Sequence, residues 1–167
     1  MKLTISGKVI KFGNNVDTDV ILPGSYLVLT DSNDLAKHAM EGLDSKFPEK
    51  ADSGVIVVGG KNFGCGSSRE QAPIALKFSG VKCVLAESFA RIFYRNAITI
   101  GLPVLVCVGI SDEVKEGEEL VVNLQTGKVE NKTSCSVLQA TQLPDFIMEV
   151  LDDGGLIEHL KRRFGTQ

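Results

Sequence analysis

Short runs of mainly apolar residues alternate with longer amphipathic segments in the middle of the chain. The runs Val55–Val58, Val81–Leu85 and Pro103–Val108 have the pattern of strands that are buried on both faces of a sheet. A helix ending at about Ser79 follows the first run, and a helix over Ser88–Ile100 follows the second. Two successive strand–helix units predict parallel strands that are joined by right-handed crossovers.

The N-terminal segment is more polar and less regular. Leu3–Phe12 alternates imperfectly between apolar and polar residues and predicts one strand or a hairpin. Asn33–Met40 predicts a short helix with Asn33 as its N-cap. The following residues, Gly42–Ser53, are highly charged and include a proline, which is typical of an irregular connection.

After the third apolar run the pattern becomes that of antiparallel strands. Glu119–Val122 and Lys128–Val129 flank a Thr-Gly turn and predict a hairpin, and Thr133–Ala140 predicts a further strand. Asp145–Leu151 predicts a helix, and Leu156–Phe164 predicts a basic amphipathic turn or two. The predicted fold class is therefore α/β, with parallel and antiparallel strands mixed in one compact domain.

The composition is that of an ordinary globular protein. A length of 167 residues suits a single domain, spanning residues 1–167, with 43% hydrophobic and 23% charged residues. A net charge of −3 argues against a nucleic-acid partner, because phosphate contacts need a basic surface. Since no apolar stretch is long enough to span a bilayer, no membrane association is expected and a cytoplasmic location is predicted.

The cysteines and histidines give no pattern of a metal site. The cysteines lie at positions 65, 83, 107 and 135, without a Cys-x-x-Cys pair. We therefore expect no metal or cofactor to be bound by this chain alone. Cys83 and Cys107 lie in apolar runs and are predicted to be buried, whereas Cys65 is expected to fill a tight turn. His38 and His159 are both predicted to lie at the surface.

The most informative segment, Gly59–Glu70, follows the first apolar run and precedes a helix. It reads Gly-Gly-Lys-Asn-Phe-Gly-Cys-Gly-Ser-Ser-Arg-Glu. A strand–loop–helix junction of this kind directs backbone N–H groups and the positive end of a helix dipole towards one point. The guanidinium of Arg69 adds a planar fork that can hold a carboxylate in two places. The segment therefore predicts an anion-binding site.

Two common nucleotide-binding motifs fit this segment poorly. Lys61 is followed by Asn62 and precedes most of the loop, so the phosphate-binding pattern that ends in Gly-Lys-Ser/Thr is not met. The dinucleotide pattern fails because Arg69 occupies the position where a small residue must pack the helix against the strand.

Ser67 and Ser68 admit two interpretations of equal weight. Each could cap the helix in a capping box, with Glu70 and Gln71 as the respective partners. Pro73, however, fits best within the first helical turn, which moves the helix start downstream and leaves both serines on the loop. On the loop they would be free to contact a ligand. A serine there could act as a base only if amides, a helix dipole and an arginine stabilise its alkoxide.

The second helix has residues that pattern alone assigns to structure. Arg91 and Arg95 are one helical turn apart and predict ion pairs at the surface or at an interface. Phe89, Phe93 and Tyr94 predict packing in the core or at an interface.

These motifs together resemble the swivelling domain of the aconitase family. The resemblance rests on Asn62–Glu70 and on Ser88–Phe93 with Asn96, and Asp17–Asp19 and Tyr26–Thr30 fit it as well. It covers essentially the whole chain and is nearest to members in which this domain is a free-standing small subunit. The fold it implies is a swivelling β/β/α domain. The partner it implies is a separate large subunit that carries a [4Fe-4S] cluster.

The resemblance also implies a chemistry and a set of residues. The family removes water from a hydroxy acid and adds it back, exchanging the positions of a hydrogen and a hydroxyl group. Ser67 aligns with the family's base, which takes the proton beside a carboxylate. Ser68, together with the loop at Gly66, would bind that carboxylate, and Arg69 would form an ion pair with it. Asp19 matches an acidic position that would orient an arginine near the site.

Substrate choice is expected to lie in the segment Tyr26–Thr30. Family members that act on an additional carboxylate tend to place an arginine here, whereas this chain has Leu27, Val28 and Leu29. An apolar lining suits an isopropyl group and would leave an additional carboxylate unpaired. The predicted substrate is a small branched-chain malate, and the alternative is a related hydro-lyase that acts on citramalate or homoaconitate. A second interpretation is that the segment is part of the core.

Another class of function also stays open at this level. The glycine-rich loop could belong to a non-catalytic module that senses a carboxylate or phosphate. RNA binding is disfavoured by the acidic balance of the chain.

Overall fold

The computed structural model describes residues 3–165, in which seven strands form one sheet. The strands are β1 (Thr4–Lys11), β2 (Val55–Gly59), β3 (Val81–Ala86), β4 (Val104–Val106), β5 (Glu119–Asn123), β6 (Lys128–Asn131) and β7 (Ser136–Gln139). Their order is β4-β3-β2-β1-β5-β6-β7. β1 to β4 pair in parallel, whereas β1, β5, β6 and β7 pair in antiparallel fashion. The predicted α/β fold with mixed strand directions is confirmed.

Helical segments lie between the successive strands up to β5 and again after β7. They are α1 (Thr18–Ile21), a 3-10 turn (Gly24–Tyr26), α2 (Ser32–Ala36), α3 (Phe47–Ala51), α4 (Gln71–Ser79), α5 (Arg91–Thr99), α6 (Ile110–Glu113), α7 (Asp145–Asp152) and α8 (Leu156–Phe164). All five residues of β2 are buried, as expected for the strand between β1 and β3. The predicted strand at 103–108 is shorter, and the predicted helix at 88–100 begins three residues later.

Two local expectations near the N-terminus are wrong. The N-cap of α2 is Asp31 and not Asn33, because the Asp31 carboxylate accepts hydrogen bonds from the N–H groups of Asn33 and Asp34. The charged connection contains α3, in which the proline occupies the first turn and sacrifices no helical hydrogen bond. Phe47 and Ala51 are fully buried, so tertiary packing stabilises this short helix.

The parallel pairing of β1 with β2 sets the position of two loops. Val9 lies opposite Ile56, and Lys11 opposite Val58. Because the two strands run in the same direction, their C-terminal ends lie at the same edge of the sheet. Residues 12–17 and 60–70 leave the sheet from this edge and meet there.

His159 is buried and not at the surface, contrary to expectation. Its side chain is 2% exposed, and Nδ1 lies 2.7 Å from Oδ2 of Asp153. The ring packs edge-on against Phe146, with 5.7 Å between the centroids. The carboxylate partner makes burial of the polar ring tolerable. The hydrogen bond from His159 is also the main reason why the pKa of Asp153 lies below its usual range.

Candidate active site

Two backbone segments that leave the same edge of the sheet are hydrogen-bonded to each other. The Gly64 N–H donates to the Val16 carbonyl, and the Thr18 N–H donates to the Cys65 carbonyl, both at 2.8 Å. The Thr18 hydroxyl donates to the carbonyl oxygen of Ser67, also at 2.8 Å. These bonds fix the backbone up to Ser67 and leave its side chain available.

Glycine is required at two positions in this loop. Gly64 and Gly66 have φ angles of +83° and +92°, which disfavour residues with a Cβ atom. A Cβ at Gly64 would lie 2.2 Å from the Phe93 ring, and one at Gly66 would lie 2.6 Å from the carboxylate of Asp17. The loop can therefore approach both neighbours only because these side chains are missing.

An aromatic cluster anchors the loop to α5. The Phe63 ring meets Phe89 and Phe93 edge-on, with centroid distances of 6.0 and 5.4 Å. Tyr94 packs against Phe89 at 5.8 Å. Phe63 is fully buried and Phe93 is 2% exposed, so the expectation of core packing is confirmed for Phe93. The cluster holds the glycine-rich loop beside the first turn of α5.

The serines do not cap α4. The helix begins at Gln71, its N-cap is Glu70, and no side chain forms a capping hydrogen bond there. Pro73 is the third helical residue, as its position in the sequence predicted. Ser67 and Ser68 are exposed on the approach loop. The capping interpretation is therefore wrong.

Both serines face a small cavity of about 170 Å³. Polar side chains from three segments line it: Thr18, Ser67, Ser68, Arg69, Arg91 and Asn96. Within residues 3–165 the backbone N–H groups of Ser67, Ser68 and Arg69 have no acceptor. Together with the N-terminus of α4 and two guanidinium groups, these donors favour a bound anion.

Asp19 holds Arg69 in place at the edge of this cavity. Nη1 of Arg69 lies 2.6 Å from Oδ1 of Asp19 and donates to the Leu22 carbonyl at 3.0 Å. The hydrogen bond from Arg69 is the main reason why the pKa of Asp19 is lower than usual. Asp19 therefore stays ionised at neutral pH. The predicted contact between this acidic residue and an arginine is observed.

The apolar segment expected to select the substrate divides into two parts. Leu27 and Leu29 are half-buried and pack against the core. Val28 is 82% exposed. Residues 26–30 do not line the cavity, although Gly24 lies close to the Arg69 guanidinium. The core interpretation thus applies to the two leucines, and Val28 is the residue of the three that is free to meet a ligand.

Arg91 was not placed at the cavity by sequence reasoning. It is the first residue of α5, is exposed and lines the same cavity as Ser67 and Ser68. The order of the parallel strands was the signal that could have found it. The loop after β3 leaves the same edge of the sheet as the loop after β2, so the start of α5 must lie beside the glycine-rich segment.

The cysteines are not brought together. Cys83 and Cys107 are buried as predicted, and burial raises the pKa of both thiols, that of Cys107 to about 11. Cys65 is half-buried, and Cys135 is exposed in the β6–β7 connection. Within residues 3–165, no group of three or more Cys, His, Asp or Glu side chains could hold a metal ion. In the same range no helix combines the length and apolarity needed to cross a membrane.

Comparison with known proteins agrees with this geometry. Residues 7–107 match the Aconitase C-terminal domain family. The isopropylmalate/citramalate isomerase small subunit of Methanocaldococcus jannaschii is 58% identical over 163 residues, covering 98% of this chain and 97% of the relative. The 3-isopropylmalate dehydratase small subunit 1 of Methanopyrus kandleri is 54% identical over 162 residues, covering 97% and 95% of the two chains.

A solved structure shows the same fold. The crystal structure of 3-isopropylmalate dehydratase from Methanocaldococcus jannaschii superposes with a TM-score of 0.91 at 45% identity, covering 96% of this chain and 95% of the other. The chain therefore belongs to the aconitase family, within the group of 3-isopropylmalate dehydratase small subunits.

Proposed function

We propose that this chain is the small subunit of a cytoplasmic 3-isopropylmalate dehydratase. This enzyme interconverts 2-isopropylmalate and 3-isopropylmalate by removing and re-adding water in leucine biosynthesis. The observation that carries the proposal is the position of Ser67. Its side chain is exposed, does not cap α4, and lies on the wall of a cavity that Arg69 also lines.

Ser67 is the proposed base. Its Oγ, as an alkoxide, would take the proton from the substrate carbon that bears a carboxylate, and would return a proton in the reverse step. A serine alkoxide needs strong stabilisation by nearby donors. The unpaired N–H groups of residues 67–69, the N-terminus of α4 and the Arg69 guanidinium are the donors available in this chain.

Ser68 and Arg69 are the proposed carboxylate-binding residues. The Ser68 hydroxyl would donate one hydrogen bond, and Arg69 would form a charge-assisted pair. Asp19 would keep the guanidinium in the required orientation through the contact at 2.6 Å. Gly66 would allow the loop backbone to approach the substrate closely, since no side chain occupies that space.

A large partner subunit completes the proposed site. The relatives are named small subunits, which implies a larger partner. The cysteines of this chain are dispersed and two of them are buried, so they do not fit a cluster. We therefore assign the [4Fe-4S] cluster to the large subunit, where it would supply a Lewis acid for the substrate hydroxyl.

The proposed substrate is a malate with an isopropyl group. Val28 offers an exposed apolar surface and no cation to a substrate side chain. An additional carboxylate would lose its hydration without gaining a partner there, which is costly. Citramalate, which is smaller, is the alternative substrate.

Anaerobic reconstitution with a cluster-bearing large subunit tests the proposal. The complex should act on isopropylmalate, whereas Ser67→Ala should reduce kcat by roughly a thousandfold without affecting assembly. Ser134→Ala is the matched control, because Ser134 is an exposed serine in the β6–β7 connection. Full activity of Ser67→Ala would contradict the assigned base. Anion binding by the isolated chain, with no activity after addition of the large subunit, would favour a non-catalytic module.

A further inference from the structure

Three side chains outside the cavity form a compact cluster at the start of the segment 26–30. The Tyr26 hydroxyl donates to Oε1 of Glu41 at 3.0 Å, and Nδ1 of His38 lies 2.7 Å from Oε2 of the same carboxylate. The Tyr26 and His38 rings stack, with 3.6 Å between the centroids and an interplanar angle of 10°. One carboxylate thus bridges two stacked rings.

The cluster joins two separate parts of the chain. Tyr26 is the last residue of the 3-10 turn, whereas His38 and Glu41 follow α2. All three side chains are partly buried. The hydrogen bond to Glu41 is the main reason why the pKa of Tyr26 is raised, so its hydroxyl remains a donor throughout the neutral range.

Tyr26 is one of two anchors of the segment that contains Val28. The other is Gly24, whose N–H donates to Oδ1 of Asp19 at 3.2 Å. Asp19 in turn holds Arg69. The turn is therefore attached at one end to the arginine in the cavity and at the other end to the Tyr26–His38–Glu41 cluster.

The position of Val28 depends on this backbone attachment. With 82% of its surface exposed, the side chain lacks a tight packing environment that could fix it. The Leu29 N–H donates to the Tyr26 carbonyl at 3.1 Å, so the backbone on the far side of Val28 is tied to the same tyrosine. Moving Tyr26 would shift Val28 relative to Arg69.

We propose that Tyr26, held by His38 and Glu41, is a positioning residue that sets substrate selectivity by fixing Val28 relative to Arg69. This inference rests on the proposed function. It predicts an effect on discrimination between substrates that differ in their apolar side chain, with little effect on the proton transfer at Ser67.

Hydrogen exchange in the isolated chain tests the attachment without reference to activity. Tyr26→Phe keeps the ring stack but removes the hydrogen bond to Glu41. Amides of residues 27–30 should exchange several-fold faster, whereas those of β2 should be unchanged. Glu41→Gln keeps an acceptor oxygen and should have a smaller effect. Lys37→Ala is the control, since Lys37 is an exposed neighbour that pairs with Asp34.

Kinetics of the reconstituted complex test the selectivity. In Tyr26→Phe the ratio of kcat/KM for isopropylmalate to that for citramalate should fall roughly tenfold, mainly through KM for isopropylmalate. A lower kcat for both substrates at an unchanged ratio would indicate a merely structural role and overturn the inference. The inference would also be overturned if Tyr26→Phe changed neither the hydrogen exchange of residues 27–30 nor the ratio of kcat/KM for the two malates. If the wild-type complex acts on neither malate, the proposed function fails, and this inference fails with it.

Discussion

Nη1 of Arg69 lies 2.6 Å from Oδ1 of Asp19, and this contact joins the glycine-rich loop to the segment after β1. The same nitrogen donates to the Leu22 carbonyl. Within residues 3–165 the Nε and Nη2 groups make no hydrogen bond. Nη1 of Arg69 therefore binds groups of this chain, whereas the Nε and Nη2 donors are available to a carboxylate.

Asp19→Asn should remove the ion pair with Arg69, and the resulting loss of stability should depend on pH. The pKa of Asp19 is lowered in the folded protein, chiefly by its hydrogen bond with Arg69. The stabilisation is therefore complete above the unfolded-state pKa of about 3.9 and is lost as the pH falls through the lower folded-state pKa. Urea unfolding at several pH values should show a difference between wild type and Asp19→Asn that shrinks below about pH 4.

Asp52→Asn provides the control for this measurement. Asp52 is exposed at the end of α3, away from the cavity. Its effect on the free energy of unfolding should stay within about 0.5 kcal/mol, as expected for an exposed surface position. An Asp19→Asn difference that did not change with pH would show that the ion pair does not stabilise the fold.

Gly66→Ala should destabilise the fold and distort the site. The added methyl group would lie 2.6 Å from the Asp17 carboxylate, at a φ of +92° that disfavours alanine. Strain of this kind costs about 1–3 kcal/mol, which urea unfolding can measure. Gly13→Ala is the control, because a Cβ added at Gly13 would meet no neighbouring atom within 4 Å and the φ of Gly13 is not positive. Equal stability of the two variants would contradict the tight approach of the loop.

Local patterns predicted much of this site. The position of Pro73 correctly moved the start of α4 past the serines, because a proline is tolerated only in the first turn. The mainly apolar residues of β2 and β3 predicted buried strands, and apart from the exposed Lys82 the residues of both strands are buried. In both cases the residue types of a short segment were enough to predict its local structure, without knowledge of distant contacts.

Other features depend on contacts that are distant in sequence. The cavity wall at Arg91 depends on which strands are neighbours in the sheet, and the burial of His159 depends on the carboxylate of Asp153. Asp31 and Asn33 are both suitable N-cap residues for α2. Asp31 is the cap because its carboxylate accepts hydrogen bonds from the free N–H groups of the first turn. Residue type alone does not decide such cases.

Arg91→Ala should reduce activity more than Arg95→Ala. Both arginines are exposed on α5, but Arg91 lines the cavity with Ser67 and Arg95 does not. Loss of a cation beside an anionic substrate should lower kcat/KM roughly tenfold, mainly through KM. Measurement in the reconstituted complex should show near wild-type kinetics for Arg95→Ala. Equal effects of the two substitutions would argue against substrate contact by Arg91 and favour the surface or interface role that its sequence pattern predicted.

Val28→Arg should shift substrate preference towards malates with an additional carboxylate. Val28 is 82% exposed, so a longer side chain can be accommodated without disturbing the core. The new guanidinium would pair with a carboxylate that the wild-type segment leaves unpaired, whereas an isopropyl group would lose its apolar neighbour. A charge-assisted hydrogen bond is worth about 1.5–3 kcal/mol, which corresponds to a shift of roughly 10- to 100-fold in relative kcat/KM.

Competition between isopropylmalate and homocitrate in the reconstituted complex would measure this shift. Val137→Arg is the control, because it introduces the same change of charge away from the cavity. Val137 is 60% exposed on β7, the outermost strand of the sheet. If both variants preferred the tricarboxylate equally, net charge would be responsible, since a general electrostatic attraction does not depend on position. An unchanged preference in Val28→Arg would remove residues 26–30 from substrate selection. A shift confined to Val28→Arg would place the side chain at position 28 near the substrate, because the attraction between exposed charges is largely screened beyond about 10 Å.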